Sequence, residues 1–195
     1  MRDRLIALYH LLALRGLRRG EAVGLRWQDV DLERSVLRVE QQLVEVGTKL
    51  VFGPPKTKSG TRTVTLDATT VGALKTHKAR QAADRLAAGS LWIDTGLVFT
   101  REDGIVVRPS TVSSHFKPMI KAAGLPRIRL HDLRHTSASL GLEAGESMKE
   151  VSDRLGHSSI MITADVYSHV APELAKRSAE RLDDLVAAPP ALDGR

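Results

Sequence analysis

Side chains that bind anions concentrate in four short segments of this chain. The segments are GLRRGE at 16–21, PKTKSGTR at 55–62, HDLRHTSASLGLEAG at 131–145 and LGHSSIMITADVYSHV at 155–170. In the third segment, His131, Arg134 and His135 fall on adjacent turns at the start of one predicted helix, and such a helix start favours bound anions. In the fourth, His157 follows a helix end that a glycine caps, and Tyr167 comes ten residues later in a polar stretch with no apolar pocket for its ring.

A metal site is the main alternative for the two histidines of the third segment. His131 and His135 have the i, i+4 spacing of half a zinc site, but no HExxH glutamate or other carboxylate stands at a ligand position. The sequence has no cysteine, which excludes thiolate zinc sites, disulfides and a cysteine nucleophile. We therefore expect no metal at these residues.

The charge distribution indicates a polyanionic partner. The chain has 195 residues, which suits one domain, and 42% of them are hydrophobic, enough for a core. Residues 1–140 hold 23 Lys and Arg against 13 Asp and Glu, whereas residues 141–195 hold 6 against 10. Aromatic residues make up only 4%, which disfavours base stacking on single strands and favours contact with a duplex backbone. The alternative is a solvated basic surface without a partner.

The N-terminal segment MRDRLIALYHLLALRG has two alternative interpretations. Arg2 and Arg4 ahead of an apolar stretch are typical of a signal peptide. Tyr9, His10 and the lack of a small-residue cleavage site instead favour a core helix of a cytoplasmic protein. No apolar run approaches the roughly 18 residues of a membrane span.

The pattern of apolar and turn residues predicts an α+β fold, mainly helical, with one small three-stranded antiparallel sheet. Asp67 and Gly89 delimit a helix over 68–88, Ser110 caps the next, and Asp29–Asp31 forms a turn. The other predicted elements are helices over 4–14, 19–27, 110–123, 132–144, 147–155 and about 172–187, and strands within 35–46, 62–66 and 97–99.

Taken in order, these segments resemble the catalytic domain of tyrosine site-specific recombinases, the phage integrase family. GLRRGEAVGLRWQDVDL resembles the box that carries an Arg and a Glu three residues later. HDLRH resembles the His-x-x-Arg box, and LGHSSIMITADVYSHV the final box with its histidine and nucleophilic tyrosine. The match runs from about residue 4 to 186, and the ordered set is far more specific than any one motif.

The resemblance implies DNA strand cleavage and rejoining through a covalent 3′-phosphotyrosyl intermediate, with no cofactor and no metal. Lys58 is an alternative to Lys56 as the general acid. The implied roles are phosphate clamping for Arg18 and Arg134, general acid for Lys56, proton transfer for His131, phosphate contact for His157, nucleophile for Tyr167 and support of Arg18 for Glu21.

The family resemblance also implies double-stranded DNA as the partner and a tetramer assembled on it. We expect a catalytic domain over 1–188 with a frayed tail at 189–195. The N-terminal core-binding domain of the family is expected to be absent. The alternatives are an excised catalytic fragment, which we favour, and a minimal recombinase. A catalytically silent DNA-binding relative and a type IB topoisomerase-like enzyme are the alternative functions.

Overall fold

The computed structural model describes residues 2–161 and, beyond them, residues 163, 164, 167, 168, 171, 175, 176, 179, 180 and 183. Helices and two small sheets alternate along the described chain. The helices are α1 Ile6–Leu14, α2 Arg19–Val23, α3 Ala68–Ala88, α4 Pro109–Ala122, α5 Asp132–Glu143 and α6 Met148–Leu155, and the strands are β1 Val30–Asp31, β2 Val36–Val39, β3 Gln42–Val46, β4 Lys49–Gly53 and β5 Arg62–Thr65.

The helix α1 lies at the centre of the core. Leu8 and Leu11 are completely buried, and the helix packs against α2, α3 and α5. Its apolar character therefore comes from burial on several sides, as expected for a core helix. Among the described residues, no helix is both long enough and apolar enough to cross a bilayer.

The helix α3 begins and ends where its end signals predict. The Asp67 carboxylate accepts a hydrogen bond from the Thr70 amide at 2.8 Å, which is an N-cap. Gly89 follows the last turn with a φ of +52°, a conformation that side chains disfavour.

A three-stranded antiparallel sheet is present, as predicted, in the order β1–β2–β5, but only β2 and β5 come from the predicted strand segments. Its first strand, Val30–Asp31, occupies part of the segment in which we predicted a turn. The strand β3 lies within the segment 35–46 where strands were predicted, but it forms a second sheet with β4. The strand β4 was not predicted, because Val51 and Phe52 are exposed and give no clear alternation.

Three other boundaries differ from prediction. The second helix ends at Val23, and a single 3-10 turn follows at Trp27–Asp29. The helix α4 begins at Pro109 after Arg108, so Ser110 lies inside its first turn and not at the cap. The predicted strand at 97–99 is reduced to an isolated bridge between Leu97 and Arg26.

The helices α5 and α6 form a smaller second cluster. Ala138, Leu142, Val151 and Leu155 pack together, with Met148 at the edge. Ser147 caps α6, as its side chain accepts from the Glu150 amide. Most of the predicted C-terminal helix over about 172–187 lies outside the described residues.

Candidate active site

A buried carboxylate lies at the centre of the site. Glu21, on α2, is only 1% exposed and accepts from two arginines. Arg18 donates to it from its side chain at 2.7 Å, and Arg62 of β5 donates at 3.0 Å. Glu21 also accepts from the main-chain amide of Arg18 at 2.8 Å, which fixes the start of α2.

The two arginines keep Glu21 ionised. Burial by itself raises the pKa of Glu21, but hydrogen bonds and positive charge from Arg62 and Arg18 outweigh burial and lower the pKa below its usual value. A charge buried this deeply is stable only with such partners.

A third arginine, Arg134, comes from the first turn of α5 and is 5% exposed. It donates to the main-chain carbonyl oxygens of Gly16 and Leu155, which join it to the ends of α1 and α6. Burial, followed by the positive charge of Arg18, lowers the pKa of Arg134 to about 9, so it stays charged at neutral pH. We call Arg18, Glu21, Arg62 and Arg134 the arginine cluster.

The turn after α6 brings His157 to this cluster. Gly156 has a φ of +67°, and its carbonyl oxygen accepts from Arg18 at 3.0 Å. The next residue, His157, hydrogen-bonds through Nδ1 to the Thr163 hydroxyl at 2.9 Å. Burial, then the charges of Arg134 and Arg18, lower the pKa of His157 to about 4, so its ring is neutral at pH 7 in the free protein.

His131 immediately precedes α5, one turn before Arg134. Its ring meets that of His135 edge to face, with 5.7 Å between centroids. Partial burial, followed by the positive charge of His135 and Arg134, lowers the pKa of His131. The histidine pair therefore belongs to the same cationic neighbourhood as the arginine cluster.

The two candidate general acids occupy the turn between β4 and β5. Lys56 is exposed and lines the same groove as Arg18, His131 and Arg134. Lys58 is also exposed and begins a 3-10 turn at Lys58–Gly60, and it is not among the groove residues. This placement favours Lys56 over Lys58.

The groove beside the arginine cluster has a volume of about 1170 Å³. Leu12, Leu17, Phe116 and Ile120 contribute apolar surface to it. Its described lining contains one acidic residue, Glu45. The Lys and Arg residues that line it are Arg18, Arg19, Lys56, Lys117, Lys121, Arg127, Arg129 and Arg134.

Tyr167 lies apart from that lining. Tyr167 has helical backbone conformation and is 38% exposed. None of the described residues hydrogen-bonds to its hydroxyl. Tyr167 is exposed and is not among the groove residues. The structure brings together the other predicted site residues: Arg18, Glu21, Lys56, His131, Arg134 and His157.

Sequence reasoning missed two arginines that build this region. Arg62 bonds Glu21, and Arg154 of α6 donates to Glu146 at 3.0 Å and to the Ser137 hydroxyl at 2.8 Å. Both stand in segments where a charged residue is ordinary, and only the tertiary fold shows that their side chains are largely buried.

Comparison with known proteins identifies the class to which this fold and site belong. The profile of the phage integrase family matches residues 1–173. The chain belongs to this family, and the resemblance to tyrosine recombinases and the expected fold class are confirmed.

Two curated relatives support this family assignment. The chain is 38% identical over 194 residues to a tyrosine recombinase XerC-like protein of Caldanaerobacter subterraneus, covering 93% of this chain and 50% of that protein. It is 32% identical to the ICEBs1 integrase of Bacillus subtilis, covering 91% and 48% of the two chains. The chain thus spans about half the length of these curated relatives.

A solved structure also matches the fold. The Tn1549 transposon integrase in complex with transposon right end DNA superposes with a TM-score of 0.74 at 27% identity, covering 93% of this chain and 59% of that one.

Proposed function

We propose that this chain cleaves and rejoins strands of duplex DNA through a 3′-phosphotyrosyl intermediate, as the catalytic part of a site-specific recombinase. The observation that carries the proposal is the arrangement of Arg18 and Arg134, which donate to the adjacent carbonyl oxygens of Gly156 and Leu155. Each guanidinium has five N–H groups, and the described hydrogen bonds use two of them. The remaining donors are proposed to bind a phosphate in the groove.

The two arginines suit the charge that develops on a phosphodiester. Attack on phosphorus adds negative charge to the non-bridging oxygens, and two planar guanidiniums bind those oxygens bidentately. Both are held in place before the substrate arrives, so little reorganisation is needed during the reaction. Glu21 supports Arg18 without touching the substrate.

Tyr167 is the proposed nucleophile. Its oxygen forms a bond to the phosphorus while the bond from phosphorus to the 5′-oxygen breaks, which leaves a 3′-phosphotyrosyl linkage and a 5′-hydroxyl. The linkage retains the energy of the broken bond, so the reverse attack by a 5′-hydroxyl rejoins the strand without a nucleotide cofactor.

Lys56 and His131 are the residues proposed to transfer protons during strand cleavage. Lys56 is proposed to protonate the leaving 5′-oxygen, and His131 to accept the proton that the Tyr167 hydroxyl loses on attack. His157 is neutral in the free protein, and one ring nitrogen is bonded to Thr163. The opposite nitrogen is the one proposed to contact the phosphate.

The partner and assembly follow from this chemistry. The basic groove and the DNA complex of the Tn1549 transposon integrase support duplex DNA as the partner. We also propose that residues 1–188 form the catalytic domain of a longer protein, that recombination uses a tetramer on DNA, and that the reaction takes place in the cytoplasm of a bacterial host.

The test is covalent capture on a DNA duplex that carries a nick near the cleavage site. Cleavage releases the short fragment with its 5′-hydroxyl, so the adduct is trapped. The chain should form an adduct that survives denaturation, with EDTA in excess because no metal is expected to act. Tyr167→Phe should bind the same duplex and form none.

Other outcomes separate the alternative functions. Binding without any adduct would identify a catalytically silent DNA-binding relative. Relaxation of supercoiled plasmid without sequence preference would instead identify a type IB topoisomerase-like enzyme. An undiminished adduct from Tyr167→Phe would contradict the choice of nucleophile.

A further inference from the structure

Arg62 connects three separate parts of the active-site region. Its side chain is 6% exposed. It donates to Glu21 at 3.0 Å, to the main-chain oxygen of Gly60 at 2.8 Å and, through Nε, to the main-chain oxygen of Arg154 at 2.6 Å. One guanidinium therefore joins α2, the turn before β5 and the last turn of α6.

Each of these contacts leads to a residue with a proposed role. Glu21 holds Arg18. Arg154 lies two residues before Gly156, whose carbonyl oxygen also accepts from Arg18, and three before His157. Arg62 thus supports Arg18 from two directions and fixes the backbone that leads to His157.

The contact with Gly60 leads to Lys56. Gly60 and Pro55 are both buried, and they pack so closely that a Cβ on Gly60 would overlap the Pro55 ring. Pro54 is held in turn by Gln42 of β3, whose side-chain amide donates to its carbonyl oxygen at 3.0 Å. The Pro54 carbonyl and the Pro55 ring are therefore both held directly before Lys56.

We propose that Arg62 is a positioning residue. It holds the turn that carries Lys56, the proposed proton donor, in place relative to Arg18 and Arg134, the proposed phosphate clamp. The proposal rests on the proposed function. The planar guanidinium of Arg62 fixes the position of Lys56 relative to Arg18, although the two residues come from elements far apart in the chain. Lysine cannot replace it, because an ammonium group lacks the planar set of donors that reaches three acceptors at once.

A substrate with sulfur in place of the bridging 5′-oxygen distinguishes positioning of the acid from general support of the fold. The leaving group is then a thiolate, which needs no proton because thiols are much more acidic than alcohols. A variant that misplaces only the general acid should recover on this substrate. A variant that weakens the phosphate clamp should not.

We expect Arg62→Lys to cleave ordinary DNA, here called the oxygen substrate, about 10- to 100-fold more slowly than the unchanged chain. A loss of this size is expected when the general acid is displaced. On the sulfur substrate the deficit should shrink about tenfold. Arg18→Lys should be slow on both substrates. The matched control is Arg154→Lys, another largely buried arginine, whose side chain bonds Glu146 and Ser137 and not the turn. It should leave the ratio of the two rates unchanged.

Gly60→Ala tests the same connection without altering Arg62. Gly60 is not among the glycines with positive φ, so alanine fits the backbone, and its methyl group would displace Pro55. It too should lose rate selectively on the oxygen substrate, which keeps the test decisive if Arg62→Lys folds poorly in a thermal melt.

Equal losses on both substrates would overturn the proposal, because Arg62 would then act only through the fold or the clamp. Undiminished rates in folded variants would overturn it as well. If the unchanged chain formed no adduct on either substrate, the failure would lie with the proposed function.

Discussion

The arginine cluster and the segments that carry Lys56 and Tyr167 are built differently. Arg134 and Glu21 are buried. Arg18 and Arg62 both donate to Glu21, and Arg134 donates to the main-chain oxygen of Gly16. Lys56 and Tyr167 are exposed, on a turn and on a segment beyond α6. The difference shows that the groups proposed to bind charge are fixed in advance, whereas those proposed to transfer a proton or attack phosphorus lie at the surface.

Substitutions in the cluster should give the largest effect on rate. Arg18→Lys and Arg134→Lys keep the charge but lose the fork, and each should slow adduct formation by roughly 10²- to 10³-fold in single-turnover assays. Arg19→Lys is the control, since Arg19 lines the same groove and, among the described residues, its side chain hydrogen-bonds to the Ser113 hydroxyl at 2.6 Å. Wild-type speed in Arg134→Lys would show that bidentate binding is the wrong account.

Substitutions on the exposed turn should show whether Lys56 or Lys58 is the general acid. Lys56→Ala should cost roughly 10²-fold on the oxygen substrate, near the lower end for loss of a general acid, because Lys56 lines the groove. Lys58→Ala should stay within about threefold. Measurement of both rates at equal DNA occupancy checks this, and the reverse order would assign the general acid to Lys58.

The smallest expected effect concerns stability. The pKa of His157 is about 4 in the folded protein, against about 6.5 when the chain is unfolded. Between these values the unfolded chain binds more protons, so the free energy of unfolding should fall as the pH falls from 6.5 towards 4. Urea titrations at pH 4.5 and 6.5 measure this difference.

His157→Gln should reduce that pH dependence but leave some of it. The lowered pKa values of His77 and His131 act in the same direction, so a residual slope is expected. An unchanged slope in His157→Gln would contradict the burial of a neutral ring beside Arg134 and Arg18.

Local signals made much of the fold predictable. The helix α3 was placed correctly because Asp67 and Gly89 mark its two ends by short-range hydrogen bonding and backbone conformation. The segment that holds β3 was predicted as strand, but its partner β4 was not, because Val51 and Phe52 are exposed and carry no pattern of burial. Val30 and Asp31 were expected in a turn, and their pairing with β2 depends on a neighbour that local sequence does not specify.

The site could be predicted only as far as motifs name residues. The positions of Arg18, Glu21 and Arg134 were expected from the family resemblance, and the structure brings them together. Arg62 gave no signal, since its burial arises from a bond to Glu21, which is 41 residues away in the chain. The catalytic roles of all these residues, and of Lys56, His131, His157 and Tyr167, are predictions.

The main-chain partners of Arg134 imply a trade-off between stability and activity. Its described hydrogen bonds go to two neutral carbonyl groups, and none of the described carboxylates forms an ion pair with it. A fold selected for stability alone would not bury a cation in this way. The negative charge of Glu21 offsets only part of this cation, and the phosphate that we propose to bind beside Arg134 would supply more.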